Sequence, residues 1–130
     1  MTRTLLDTNV ILRLLLNDHP TLSGRALDVF RCAERGEQRL VLVPLIVAEC
    51  CYVLKGPVYR MDRAVIADIL IEVLLFEGVE CEERGTVVAA LQAFGERATD
   101  FADCYLRALS QARNWDIMSF DADVRPSAGT

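Results

Sequence analysis

The chain has 130 residues, 52% hydrophobic and 25% charged, which suits one compact domain and excludes a disordered, collagen-like or mucin-like chain. Nineteen Asp and Glu against fourteen Lys and Arg give a net charge of −5, a sign that opposes gripping nucleic acid through a broad basic face. Five cysteines without a C-x-x-C pair, and a single histidine, His19, exclude a zinc site and point to reduced, mostly buried thiols.

Thr4-Leu5-Leu6 is a short apolar run ending in Asp7-Thr8-Asn9, after which Val10, Ile11, Leu14 and Leu15 fall at helical spacing. This predicts a buried strand turning into a helix capped near Thr8 or Asn9. A second helix runs from a Ser23 cap to Arg35, with Leu27, Phe30 and Cys32 or Ala33 inside and Gly36 as its stop. Leu40 to Val43 is the second strand, and Pro44 opens a helix carrying Ile46, Glu49, Val53 and Leu54 that Gly56-Pro57 ends. Asp62 caps a long apolar helix closed by Gly78, and Val79-Glu80-Cys81 is a third strand. Thr86 to Phe94 is a further helix closed by Gly95; Thr99 caps the next, from Asp100 to Arg113. Asp116 to Phe120 is the fourth strand, with Trp115 as a packing anchor at its entry and Asp121 at its carboxyl end.

Four short apolar strands alternating with helices describe an α/β fold, a single domain over residues 1–124 whose central parallel sheet has helices on both faces. Residues 125–130, with Pro126 and Gly129, lack apolar periodicity and read as a frayed tail. Asp7 and Arg13 break the only early apolar run, so no secretory leader is expected. Leu40 to Leu54, interrupted by Pro44 and Glu49, falls short of the ~20 residues of a membrane span. A cytoplasmic location without a membrane partner follows as the expectation.

The acids carry the chemical signal. Asp7 and Asp121 sit at the carboxyl ends of strands, where open parallel sheets collect ligands. Glu49 stands in the apolar context Ile46-Val47-Ala48-Glu49-Cys50-Cys51-Tyr52, and Asp100 and Asp103 share one side of a helix. Taken singly, each also suits a cap, a turn or a solvated helix face. Together they form a cluster of hard oxygen donors with no His or Cys, which repel one another unless a cation neutralises them and which select magnesium or manganese. Such clusters serve phosphoryl chemistry.

Leu5-Leu6-Asp7-Thr8-Asn9-Val10-Ile11-Leu12-Arg13, Val43-Pro44-Leu45-Ile46-Val47-Ala48-Glu49, Asp100-Phe101-Ala102-Asp103-Cys104-Tyr105-Leu106 and Ser119-Phe120-Asp121-Ala122-Asp123 together resemble the PIN-domain ribonucleases, most closely the VapC-like toxins of toxin–antitoxin pairs. The order and spacing match from Thr4 to about Asp123. The resemblance implies a Mg²⁺- or Mn²⁺-dependent endoribonuclease that hydrolyses single-stranded regions of RNA through a metal-activated water. It also implies a cognate antitoxin that blocks the site, and a homodimer. Asp7, Glu49, Asp103 and Asp121 match the family's catalytic, metal-holding quartet. Thr8 and Asn9 match residues that hold the first Asp, Ser119 the small hydroxyl residue before the last, and Asp100 and Asp123 are outer-shell or substrate-contacting candidates. The family's usual continuation past the final Asp, another short strand, meets Arg125-Pro126-Ser127 here.

Thirteen of the fourteen basic residues are Arg; Lys55 is the sole lysine. With Tyr59, Arg60 and Arg63 it flanks Gly56-Pro57 as a basic, aromatic rim where RNA can stack, or as an ordinary solvated connection. His19 reads as a loop residue before Pro20. A phosphatase of the haloacid-dehalogenase type needs a second Asp where Asn9 stands and a distal Lys. The non-enzymatic alternative is a catalytically inactive PIN-like interaction module whose acids are structural.

Overall fold

The computed structural model describes residues 1–121 and Val124. Strand β1 (Thr2–Leu5) leads through the buried Leu6 into helix α1 (Thr8–Leu16), with Asp7 at the N-cap. Leu6 donates its N–H to the Val41 carbonyl at 2.9 Å, which extends the sheet pairing one residue beyond β1 and fixes where Asp7 emerges. Ile11 and Leu12 form the inner side of α1, and Asn17 closes it in the left-handed conformation.

Helix α2 (Leu22–Glu34) buries Ala26, Phe30 and Ala33 and is followed by Gly36 at φ 81°, the predicted stop. Its start differs from expectation. Ser23 is buried inside the first turn and accepts the His19 N–H at 3.2 Å, while His19 Nδ1 accepts the N–H groups of Thr21 and Leu22 at 3.2 and 2.9 Å. The imidazole therefore satisfies the helix-start donors that a serine cap was expected to meet.

Strand β2 (Gln38–Val41) pairs parallel with β1, Thr2 opposite Gln38 through Leu5 opposite Val41. Helix α3 (Pro44–Lys55) has Pro44 in its first turn and buries Val47, Cys50, Cys51 and Leu54, a helical stripe that leaves Glu49 outside. Helix α4 (Arg63–Leu75) ends before Phe76, whose ring meets Phe30 edge-on at 5.6 Å. Gly78 then turns the chain into strand β3 (Val79–Glu80), parallel to β2, and the strand order is β1-β2-β3.

Helix α5 (Arg84–Glu96) starts before Thr86 and runs through Gly95. Gly95 is no stop: a Cβ there would stand 3.0 Å from the Ala67 Cβ, so the glycine permits the close approach of α5 to α4. Helix α6 (Phe101–Arg113) takes Asp100, not Thr99, at its N-cap; Thr99 Oγ1 lies 3.3 Å from Cys104 Sγ. Tyr105 and Arg113 of α6 both donate to Glu83, which holds that carboxyl below its ordinary range.

The architecture is α/β with a parallel sheet, but the sheet has three strands among the described residues and the predicted strand Asp116 to Phe120 is not formed. Asn114 adopts the left-handed conformation at the end of α6, and Trp115 donates its N–H to the Ser110 carbonyl at 3.1 Å. The following residues lie along α6, where Trp115, Ile117 and Met118 line a depression with Leu106 and Leu109. That local turn diverts the segment from the sheet, so its apolar alternation has no face to bury: Phe120 is 100% exposed, and Leu5 at the outer strand β1 is 71% exposed. Asp123 and residues 125–130, the expected tail, lie outside the described residues. Among the described residues no helix is long and apolar enough to cross a membrane.

Candidate active site

Asp7 stands at the carboxyl end of β1 with extended backbone, φ −89° and ψ 155°. Its carboxylate accepts the Thr8 N–H at 2.9 Å, and its carbonyl accepts from Val10 and Ile11. The side chain is exposed, so the turn presents one oxygen outward while the cap holds the other. Thr8 is buried, and its hydroxyl has no hydrogen-bond partner among the described residues. The expected grip on Asp7 thus comes from the Thr8 backbone, not its hydroxyl. Asn9 lines a separate depression with Arg13, Leu22 and Arg25.

Glu49 projects from the exposed side of α3, the helix that follows β2. Beneath it, the Cys50 thiol is pushed up to about 12, first by burial and then by the charges of Glu49 and Asp7. Both charges act on that buried thiol, Asp7 from the end of β1 and Glu49 from α3. Asp103 is half-buried in the first turn of α6, its N–H on the Asp100 carbonyl at 3.1 Å, and α6 packs against α3. Asp121 is exposed; its N–H donates to the Ser119 hydroxyl at 3.0 Å in a local turn.

In chemistry the donor set fits a hard divalent cation: carboxylates, and an orphaned threonine hydroxyl beside Asp7. In arrangement, no three acidic, histidine or cysteine side chains among the described residues close around one point. Asp7 stands at the end of β1, Glu49 on α3, Asp103 on the helix packed against α3, and Asp121 on the segment that lies along α6.

A cavity of about 350 Å³ opens between α3 and the start of α6, lined by Ala48, Tyr52 and Lys55 on one side and Asp100 and Ala102 on the other. Neither the cavity nor Tyr52 was signalled as functional in the sequence, because only packing of α3 on α6 creates the space. The expected rim around Gly56-Pro57 is divided. Arg13 donates to the Tyr59 hydroxyl, Arg60 turns back to the Pro57 carbonyl, and Arg63 lies over the Phe94 ring while donating to the carbonyls of Phe94 and Thr99. Lys55 alone of that set faces the cavity.

The family model of the PIN domain matches residues 4–127, nearly the whole chain and all of the acids described above. The chain belongs to the PIN domain family. PIN domains are generally metal-dependent nucleases and typically use Mg²⁺ or Mn²⁺. No curated protein and no solved structure matches the chain significantly.

Proposed function

We propose that this PIN domain is a Mg²⁺- or Mn²⁺-dependent endoribonuclease that hydrolyses single-stranded regions of RNA, with Asp7, Glu49, Asp103 and Asp121 as its metal-holding, catalytic acids. The observation that carries the reading is Asp7, exposed at the carboxyl end of β1 with one oxygen held by the Thr8 N–H, in a chain that the PIN domain model matches over residues 4–127. Carboxylates that gather in one site favour a compensating cation. A divalent ion bound there supplies polarisation of a phosphate oxygen and a water acidic enough to attack phosphorus in line.

The chain's own part is positional. The Thr8 N–H orients one oxygen of Asp7, α3 presents Glu49 across from it, and the Asp100 carbonyl anchors the turn that carries Asp103. The Ser119 hydroxyl fixes the backbone at Asp121. Asp100 and Asp123 are outer contacts in this reading. The same reading makes the protein a cytoplasmic toxin, homodimeric and silenced by a cognate antitoxin that covers the acids.

Purified protein should cut labelled single-stranded RNA with Mg²⁺ or Mn²⁺ and stop in EDTA. Asp7→Asn and Asp103→Asn should each lower cutting by about a hundredfold or more, on the scale of one lost transition-state contact. Asp7→Asn keeps a capping oxygen for the Thr8 N–H, so its melting temperature should stay near that of the wild type. Undiminished cleavage in EDTA would sink the proposal. Metal binding without turnover on any RNA would favour the inactive interaction module.

A further inference from the structure

The cavity between α3 and α6 combines features that the acids do not need. Its floor is apolar and fixed: Cys51, Phe94 and Phe101 are buried, and Arg63 stacks 4.0 Å over the outer face of the Phe94 ring. Its rim carries Tyr52, 81% exposed and without a hydrogen bond among the described residues, and Lys55, the only lysine of the chain, which makes no ion pair among them. The exposed ring and the ammonium stand at the mouth of one apolar cavity, the mixture of apolar lining and a few polar groups that ligand sites show. Asp100 lines the same cavity, and Glu49 precedes Tyr52 by one helical turn on α3, on the same side of that helix.

We infer that this cavity receives one unpaired base of the substrate RNA, the nucleotide next to the bond that is cut, with Tyr52 stacking on the base and Lys55 meeting its phosphate. The inference rests on the RNA-nuclease reading above and assigns a base-binding subsite to it. The chemistry matches on three counts. The apolar floor takes the flat face of a base, an exposed tyrosine supplies a stacking platform for any base, and the lone ammonium supplies a point charge for a phosphate. Lys55 is the one cation among the described residues that line the cavity, and so it decides where the backbone can lie.

The test is anisotropy of fluorescein-labelled 12-nucleotide oligouridylate, and of the same strand made abasic at its central positions, bound by protein carrying Asp7→Asn to stop cutting. Adding Tyr52→Ala should weaken oligouridylate binding about tenfold, whereas Tyr52→Phe should hold it within about twofold. On the abasic strand Tyr52→Ala should change nothing. Lys55→Gln should weaken both strands and lower the salt slope by about one phosphate contact. Tyr52 is exposed and unbonded, so its variants should melt with the parent. Equal oligouridylate affinity with and without the ring, or an equal loss on the abasic strand, overturns the inference. Failure of the Asp7→Asn parent to bind either strand overturns it in favour of a protein segment as the occupant. The two readings separate cleanly: a wild type that cuts RNA with Tyr52-independent binding loses only the base pocket. One that shows Tyr52-dependent binding without cutting loses only the nuclease.

Discussion

Cys50 is buried on α3, and its thiol is pushed up to about 12, by burial first and by the charges of Glu49 and Asp7 second. Cys51 beside it is likewise held near 12 by burial. Both stay protonated in the native state at a pH where the unfolded chain, with thiols near 9, has released its protons. Their contribution to stability is therefore whole below pH 9 and is lost as the pH climbs from 9 towards 12. Urea midpoints taken from about pH 8 to about pH 11 should fall steadily, and Cys50→Ala with Cys51→Ala should flatten that fall. Tyr105, also raised to about 12, keeps some slope in the double variant. A slope identical to that of the wild type contradicts the assignment. At this scale the sequence placed Asp7 at the end of β1, as found, whereas Glu49, set in an apolar stretch, faces out of α3 because the buried stripe of that helix runs through Val47, Cys50, Cys51 and Leu54. It was silent on His19, because capping the turn at Thr21 and Leu22 depends on how the loop folds back, not on spacing. The same holds for Tyr52, which only the packing of α3 on α6 sets over a cavity.

Elements bounded by their own punctuation were legible, and those bounded by tertiary contact were not. Pro44 opens α3 and Gly36 follows α2 as expected, since both act through local backbone geometry. Gly95 misled because its small size serves the contact between α4 and α5 rather than a turn. The segment Asp116 to Phe120 has strand-like composition, yet the left-handed Asn114 sends it along α6, a choice its own residues do not encode. Gly78 does both jobs: φ is 99°, and a Cβ there would stand 2.7 Å from the Ala33 carbonyl oxygen. Gly78→Ala should therefore cost about 3 kcal/mol from left-handed strain and overlap with backbone. Gly24 lies inside α2, where an added Cβ would meet no atom within 4 Å, and it gives the opposite sign. Gly24→Ala should stabilise by about 0.5–1 kcal/mol, and urea unfolding of the pair checks both directions. A Gly78→Ala midpoint equal to that of the parent would remove the packing argument at the α2–β3 junction.

For the molecule as a whole, the net charge of −5 changes meaning once the acids are sorted by place. Asp7, Glu49, Asp103 and Asp121 account for four of the nineteen acids, and the remaining fifteen nearly balance fourteen Lys and Arg. If the quartet holds a cation as proposed, the repulsion felt by a polyanion centres on that site once the ion is removed. Charges collected in one place act on a bound strand much more strongly than the same charges dispersed beyond a screening length of about 8–10 Å. RNA affinity should therefore follow the charge state of the quartet. In EDTA at low salt the wild type should bind single-stranded RNA at least about tenfold more weakly than the variant Asp7→Asn, Glu49→Gln, Asp103→Asn, Asp121→Asn, which lacks those charges. Added Mg²⁺ should tighten the wild type and leave the neutral variant unchanged, and the difference between them should shrink as salt rises. Equal affinities in EDTA would show that the quartet does not face the bound strand, and the acidic composition would then stand as the simple objection to nucleic-acid binding that it first presents.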